Sequence, residues 1–258
     1  MAKIPIKSMD YPTEMSMTYG GAGTLLVNVK KETGTGAVSF QWYKVEDGKE
    51  TAVGSATTKN QFDLSVLKLS AGNHTFRFSA TCDGYKKMSQ DIVVTVQKAD
   101  IRSSLITPPT AQENLTYTGQ EQALVTAGSA ANHGTMQYSL TENGTYSQDI
   151  PTGIDAGTYT VWYRVIGDAN HNDTAPASVV VSIGKKPLTI TGVTAASKSY
   201  DGAKNADISS VTFDGVTLKQ GTDYTVTASF DDASVGNSKS ITATVTLMEQ
   251  AAKNYALE

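Results

Sequence analysis

Apolar and polar residues alternate with a period of two along most of this 258-residue chain, in short runs closed by glycine, asparagine and aspartate. That period marks half-buried β-strands, whose successive side chains point to opposite faces. In the first third, strands are predicted over 25–29, 38–45, 62–66 and 92–96, with another running from the Ala71-Gly72 step to Ala80. The turn 33–36 separates the first two, and Glu46-Asp47-Gly48 reads as a hairpin. The middle third repeats this order over 115–119, 136–140, 155–166 and 177–183, with Glu142-Asn143-Gly144 in the hairpin's place. The last third offers 188–190, 224–230 and 240–247, and then no valine-rich closing strand.

A small residue and a glycine precede one long strand in each third: Ala71-Gly72, Ala156-Gly157 and Val235-Gly236. The glycines lie 85 and then 79 residues apart (72 to 157, 157 to 236), close to the length of one β-sandwich domain. Self-similarity at a fixed period reads as tandem units. The predicted fold is all-β: three tandem immunoglobulin-like β-sandwich domains in an extended row, over 1–98, 99–184 and 185–258, the third lacking its last strand.

In such sandwiches a tyrosine near the start of the sixth strand bonds back to the preceding corner. Tyr159 after Gly157 holds that position, with Val161 packing where antibody domains place a cysteine. His74 after Gly72 holds it in the first unit. Ser238 after Gly236 holds it in the third, where the bond is expected to be lost. Trp42 reads as the core tryptophan of the first sandwich. The junctions 97–101 and 184–188 pass almost directly from strand to strand, which limits bending between units.

Composition narrows the function. A net charge of −4 with scattered lysines and arginines gives no footprint for a polyanion, so nucleic acid is not an expected partner. No apolar run approaches the ~18 residues a membrane helix needs, and membrane insertion of this segment is not expected. Cys82 is the single cysteine, so no intrachain disulfide forms. Residues 1–11 lack the apolar core of a signal peptide, which suits a piece excised from a longer protein.

Three stretches carry a family resemblance. The second unit, with Leu115-Thr116-Tyr117-Thr118-Gly119-Gln120, the corner Asp155-Ala156-Gly157-Thr158-Tyr159 and the turn Gly167-Asp168-Ala169-Asn170-His171-Asn172-Asp173, resembles the MBG repeat of bacterial surface proteins. The third, with Lys198-Ser199-Tyr200-Asp201-Gly202 and Asn254-Tyr255-Ala256-Leu257, is similar to the YDG repeat, and the first, with Phe40-Gln41-Trp42-Tyr43, resembles bacterial immunoglobulin-like repeats. The resemblance implies a segment of a large secreted or wall-attached protein, often an adhesin-like stalk, located outside the cell or on its surface. It implies neighbouring domains of the same longer chain as partners and no catalytic residues.

The residues themselves agree on catalysis. His74, His133 and His171 lie in separate stretches, and no metalloprotease, thiol-redox or nucleophile-elbow motif occurs. No cofactor is expected beyond calcium, for which Asp168, Asn170, Asn172 and Asp173 offer alternating oxygens, without the glycine and glutamate an EF-hand loop needs. Strand parity places Thr160, Trp162, Arg164 and Ile166 opposite the core, so Trp162 and Arg164 are the candidate ligand contacts. The leading expectation is a non-catalytic spacer. The alternative is an adhesion module that binds host glycan or protein through exposed aromatics.

Overall fold

The computed structural model describes residues 5–33 and 36–258. The centre of the turn expected over 33–36 and the first four residues lie outside the described residues. The chain is predominantly β, with one six-residue α-helix among the described residues. It divides into two compact units. One comprises residues 1–107, 130–136 and 164–175; the other comprises 108–129, 137–163 and 176–258.

In the first unit a sheet runs in the order Glu14–Thr18, Ile92–Gln97, Gly72–Cys82, Ser39–Glu46, Lys49–Thr57, with Tyr85–Met88 also paired to Gly72–Cys82. Glu14–Thr18 is parallel to Ile92–Gln97; the remaining pairs are antiparallel. Two further antiparallel pairs, Ile6–Asp10 with Asn28–Lys31 and Thr24–Leu26 with Gln61–Asp63, share its core. Leu25, Val27 and Leu64 from these pieces pack with Phe40, Trp42, Phe76, Phe78, Ile92 and Val94 of the sheet. Trp42 is buried as expected, stacked on Phe62 at 5.4 Å and tilted against Phe78 at 5.0 Å. The hairpin closes at Glu46/Lys49, with Asp47 and Gly48 both at positive φ (50° and 74°). That is a two-residue type I′ turn, whose twist matches the strands it joins.

One predicted strand changes type. The run 62–66 is strand only to Asp63, and Leu64–Leu67 forms a 3₁₀ turn. The Asp63 carboxylate accepts from the Ser65 N–H at 2.9 Å and its hydroxyl at 2.7 Å, a local capping bond that outcompetes the strand ladder. Cys82 is buried without a disulfide, and burial pushes its thiol up.

In the second unit Leu115–Thr116 lies parallel to Ala177–Gly184, which pairs antiparallel with Gly157–Gly167. Gln122–Ala123 pairs with Thr152–Gly153, and Thr110–Ala111 with Val125–Thr126. The expected hairpin at Glu142-Asn143-Gly144 is a turn closed by a single bridge, Tyr138 to Ser147. Further along, Ile190–Ala195 pairs with Ile208–Phe213 and Tyr224–Phe230 with Ile241–Leu247, around Leu188, Val211, Phe213 and Tyr224. The helix Glu249–Asn254 was not foreseen; Tyr255–Leu257 follows it as a three-residue strand parallel to Lys186–Leu188. Among the described residues Ile241–Leu247 pairs only with Tyr224–Phe230.

Candidate functional site

The corner is the first element of the site. Gly72 and Gly157 sit at φ +126° and +150°, a region that favours glycine, and each starts a long strand. The Tyr159 hydroxyl donates to the Asp155 carbonyl at 2.8 Å. His74 Nε2 lies 2.8 Å from the Ser70 carbonyl, also four residues upstream, so the imidazole stands in for the phenol. Tyr159→Phe is expected to cost about 1 kcal/mol, the net worth of one hydrogen bond, measured by chemical denaturation. At the third position Gly236 has no positive φ and Ser238 takes one instead (55°). The Asp232 carboxylate there accepts from the Ser234 N–H at 2.7 Å and contacts Lys239, so side-chain turns replace the corner bond.

Two corners are capped by the same construction. In the first unit the Ala71 N–H donates to Asn170 Oδ1 at 2.8 Å, across 99 residues. In the second the Ala156 N–H donates to Asn254 Oδ1 at 2.8 Å, across 98 residues. Lys98 Nζ donates to the Asp168 carbonyl at 3.0 Å; Lys185 Nζ donates to the Ala252 carbonyl at 2.6 Å. Each accepting carbonyl lies two residues before its asparagine. Ala99 bridges His171 in parallel, and Lys186 is in parallel register with Tyr255. The Tyr19 N–H donates to the Gln97 carbonyl at 2.8 Å, and the Tyr117 N–H to the Gly184 carbonyl at 2.9 Å. The Tyr19 ring meets His171 edge-on at 5.4 Å, and the Tyr117 ring meets Tyr255 edge-on at 5.3 Å. Five contacts therefore recur at matching positions, and together they form one joint built twice.

The joints differ in their charged groups. In the second, the Asp155 carboxylate accepts from Gln250 at 2.6 Å, Lys253 at 2.9 Å and Asn254 at 3.0 Å. These donors, Lys253 foremost, hold its carboxyl below the ordinary 3.8, at about 2. A carboxyl lowered on folding stabilises above its unfolded value, and that contribution drains away as pH falls toward the folded value. The second joint is expected to loosen as pH drops from 3.8 toward about 2, read as faster amide exchange at Ala156.

In the first joint Ser70 takes the place of Asp155, and His133, Asp168 and His171 gather instead, with ligand atoms within 4.8 Å of one another. His171 Nδ1 lies 2.7 Å from Asp168 Oδ1, and the two imidazoles meet edge-on at 4.7 Å. The backbone N–H of Asn170, more than His171, holds the Asp168 carboxyl below its usual range.

The residues considered for calcium all hold protein hydrogen bonds. Asp168 Oδ1 accepts from the Asn170 N–H, Asn170 Oδ1 from Ala71, and Asp173 Oδ1 from the Gly167 N–H at 2.9 Å, while Asn172 donates to Asp100 at 2.9 Å. Gly167 is required by close approach: an added Cβ would lie 2.2 Å from the His171 carbonyl oxygen. Calcium is expected to leave the thermal unfolding of the protein unchanged, since ligation would undo bonds the loop already has. A calcium-dependent rise in melting temperature would contradict this.

Residues 184–258 match the YDG domain family. No curated protein matches the chain. Asn254, which caps the second corner, and Tyr255, whose ring meets Tyr117, fall inside the matched YDG domain, as does Tyr200-Asp201-Gly202. Trp162 and Arg164, expected on the outward face, are both half-buried, while Val161 and Val165 are buried on the inward one. From the sequence Asn170 reads as a turn residue and candidate calcium ligand, and Asn254 as part of a family motif. Their common signal is an asparagine followed by an aromatic ring, 98 or 99 residues after a corner alanine.

Proposed function

We propose that this chain is a non-catalytic spacer, in which three immunoglobulin-like modules follow one another in a row within a larger bacterial surface or secreted protein. The observation that carries the reading is the repeated joint. A backbone N–H of one module is capped by an asparagine of the next, and a lysine and two aromatic rings fix the approach. A link tied at five points resists bending better than a flexible linker, and stacked modules then take their shape from nearest-neighbour contacts.

Solution scattering, combined with amide exchange at Ala71 and Ala156, tests the reading. An elongated particle is expected, with a narrower distribution of shapes than the Asn170→Ala/Asn254→Ala double variant. A compact particle, or identical profiles for the two proteins, would overturn it.

A further inference from the structure

Two receiving faces of the joint are filled, and a third is bare. We infer that Tyr200 and the Val235-Gly236 step form the receiving half of a third joint, whose occupant is the asparagine–aromatic turn of a further module joined through a strand continuing from Leu257. The inference rests on the spacer reading and extends it to a specific partner surface.

Tyr19, Tyr117 and Tyr200 each open a Tyr-x-Gly triplet, Tyr19-Gly20-Gly21, Tyr117-Thr118-Gly119 and Tyr200-Asp201-Gly202. Gly119 and Gly202 share a positive φ, +79° and +73°. Tyr19 and Tyr117 are half-buried beneath the ring of the next asparagine–aromatic turn. Tyr200 is 71% exposed. Ala156, capped by Asn254, is buried, whereas Val235, its counterpart before the third glycine, is 82% exposed. Tyr200 and Val235 line one cleft of about 600 Å³, together with Ser234, Gly236 and Asp201.

The missing piece of this face is legible from the filled ones. In both, the closing strand supplies the carbonyl that receives the tyrosine N–H, Gln97 in one and Gly184 in the other, and then the lysine. Tyr255–Leu257 starts in the register from which residue 171 leads into Ala177–Gly184. The free edge of Ile241–Leu247 matches the edge that Ala177–Gly184 occupies on Gly157–Gly167. Continuing that strand would cover Ile241–Leu247 and bring the next module onto Tyr200 and Val235.

Because Leu257 corresponds to Asp173, residues 1–257 followed directly by a second copy of 174–258 make the test protein. Amide exchange is expected to slow about tenfold or more at both Ile241–Leu247 and Val235. Asn254→Ala in the appended copy should restore fast exchange at Val235 and leave Ile241–Leu247 protected. A shorter extension ending at Gly184 should protect Ile241–Leu247 alone. Unchanged exchange at Val235 with Ile241–Leu247 protected would overturn the inference. An unprotected Ile241–Leu247 would also overturn it, by removing the equivalence on which it stands. Asn170→Ala and Asn254→Ala in the unextended chain probe only the filled joints, so the spacer reading can survive this failure.

Discussion

Truncating Trp42 to alanine is expected to destabilise the core of the first sheet by about 3–5 kcal/mol. The indole is 2% exposed and touches Phe62 and Phe78, so its loss removes both transfer free energy and ring contacts, and leaves a void. Relaxation cannot easily fill that void, because Phe76, Phe78, Leu25 and Leu64 around it are themselves fully buried. Trp42→Phe is the informative companion. Nε1 of Trp42 is buried with no hydrogen-bond partner among the described residues, and a buried donor left unpaired costs about 1–3 kcal/mol. Phenylalanine removes that donor along with part of the volume, so the two changes oppose each other and the loss should stay below about 1.5 kcal/mol. Denaturation followed by exchange at Phe76 and Phe78 checks both variants. A Trp42→Ala loss near that of Trp42→Phe would show that the core repacks.

Asn254→Ala is expected to cost about 1–3 kcal/mol, the penalty for stranding a buried polar group. Asn254 is 1% exposed, and its amide works in both directions. Oδ1 accepts from the Ala156 N–H while Nδ2 donates to the Asp155 carboxylate. Alanine abolishes both bonds and leaves the Ala156 N–H without its acceptor in a place water reaches poorly. Asn254→Asp separates shape from chemistry: it keeps the acceptor but sets a second carboxylate against Asp155. It should fail to rescue at neutral pH and recover in acid, because like charges then cease to face each other. Exchange at Ala156 reports directly, and an unchanged rate in Asn254→Ala would remove the asparagine from the joint. Asn170→Ala should cost less, since Asn170 is only half-buried and Ser70, in place of an aspartate, precedes Ala71.

Local chemistry made much of this protein legible in its sequence. Period-two alternation located the Ser39–Glu46, Ala177–Gly184, Tyr224–Phe230 and Ile241–Leu247 strands to within a residue or so. Asp47-Gly48 named its turn, because positive φ at two successive residues is a local demand. The corner glycines and the His74-for-Tyr159 exchange were readable for the same reason, since ring and carbonyl are four residues apart. The 62–66 run was misread because a capping carboxylate, not the hydrophobic pattern, decided that segment.

The joints were beyond the sequence. Asn170 and Asn254 look like turn residues until folding carries each to a corner alanine some 98 residues earlier. Outward parity likewise put Trp162 in solvent, whereas tertiary packing leaves it half-buried. Alternation, turn type and corner glycines are properties of neighbouring residues, and the sequence by itself determined those. Which polar side chain meets which distant backbone depends on how whole sheets stack, and no pattern among neighbouring residues records it.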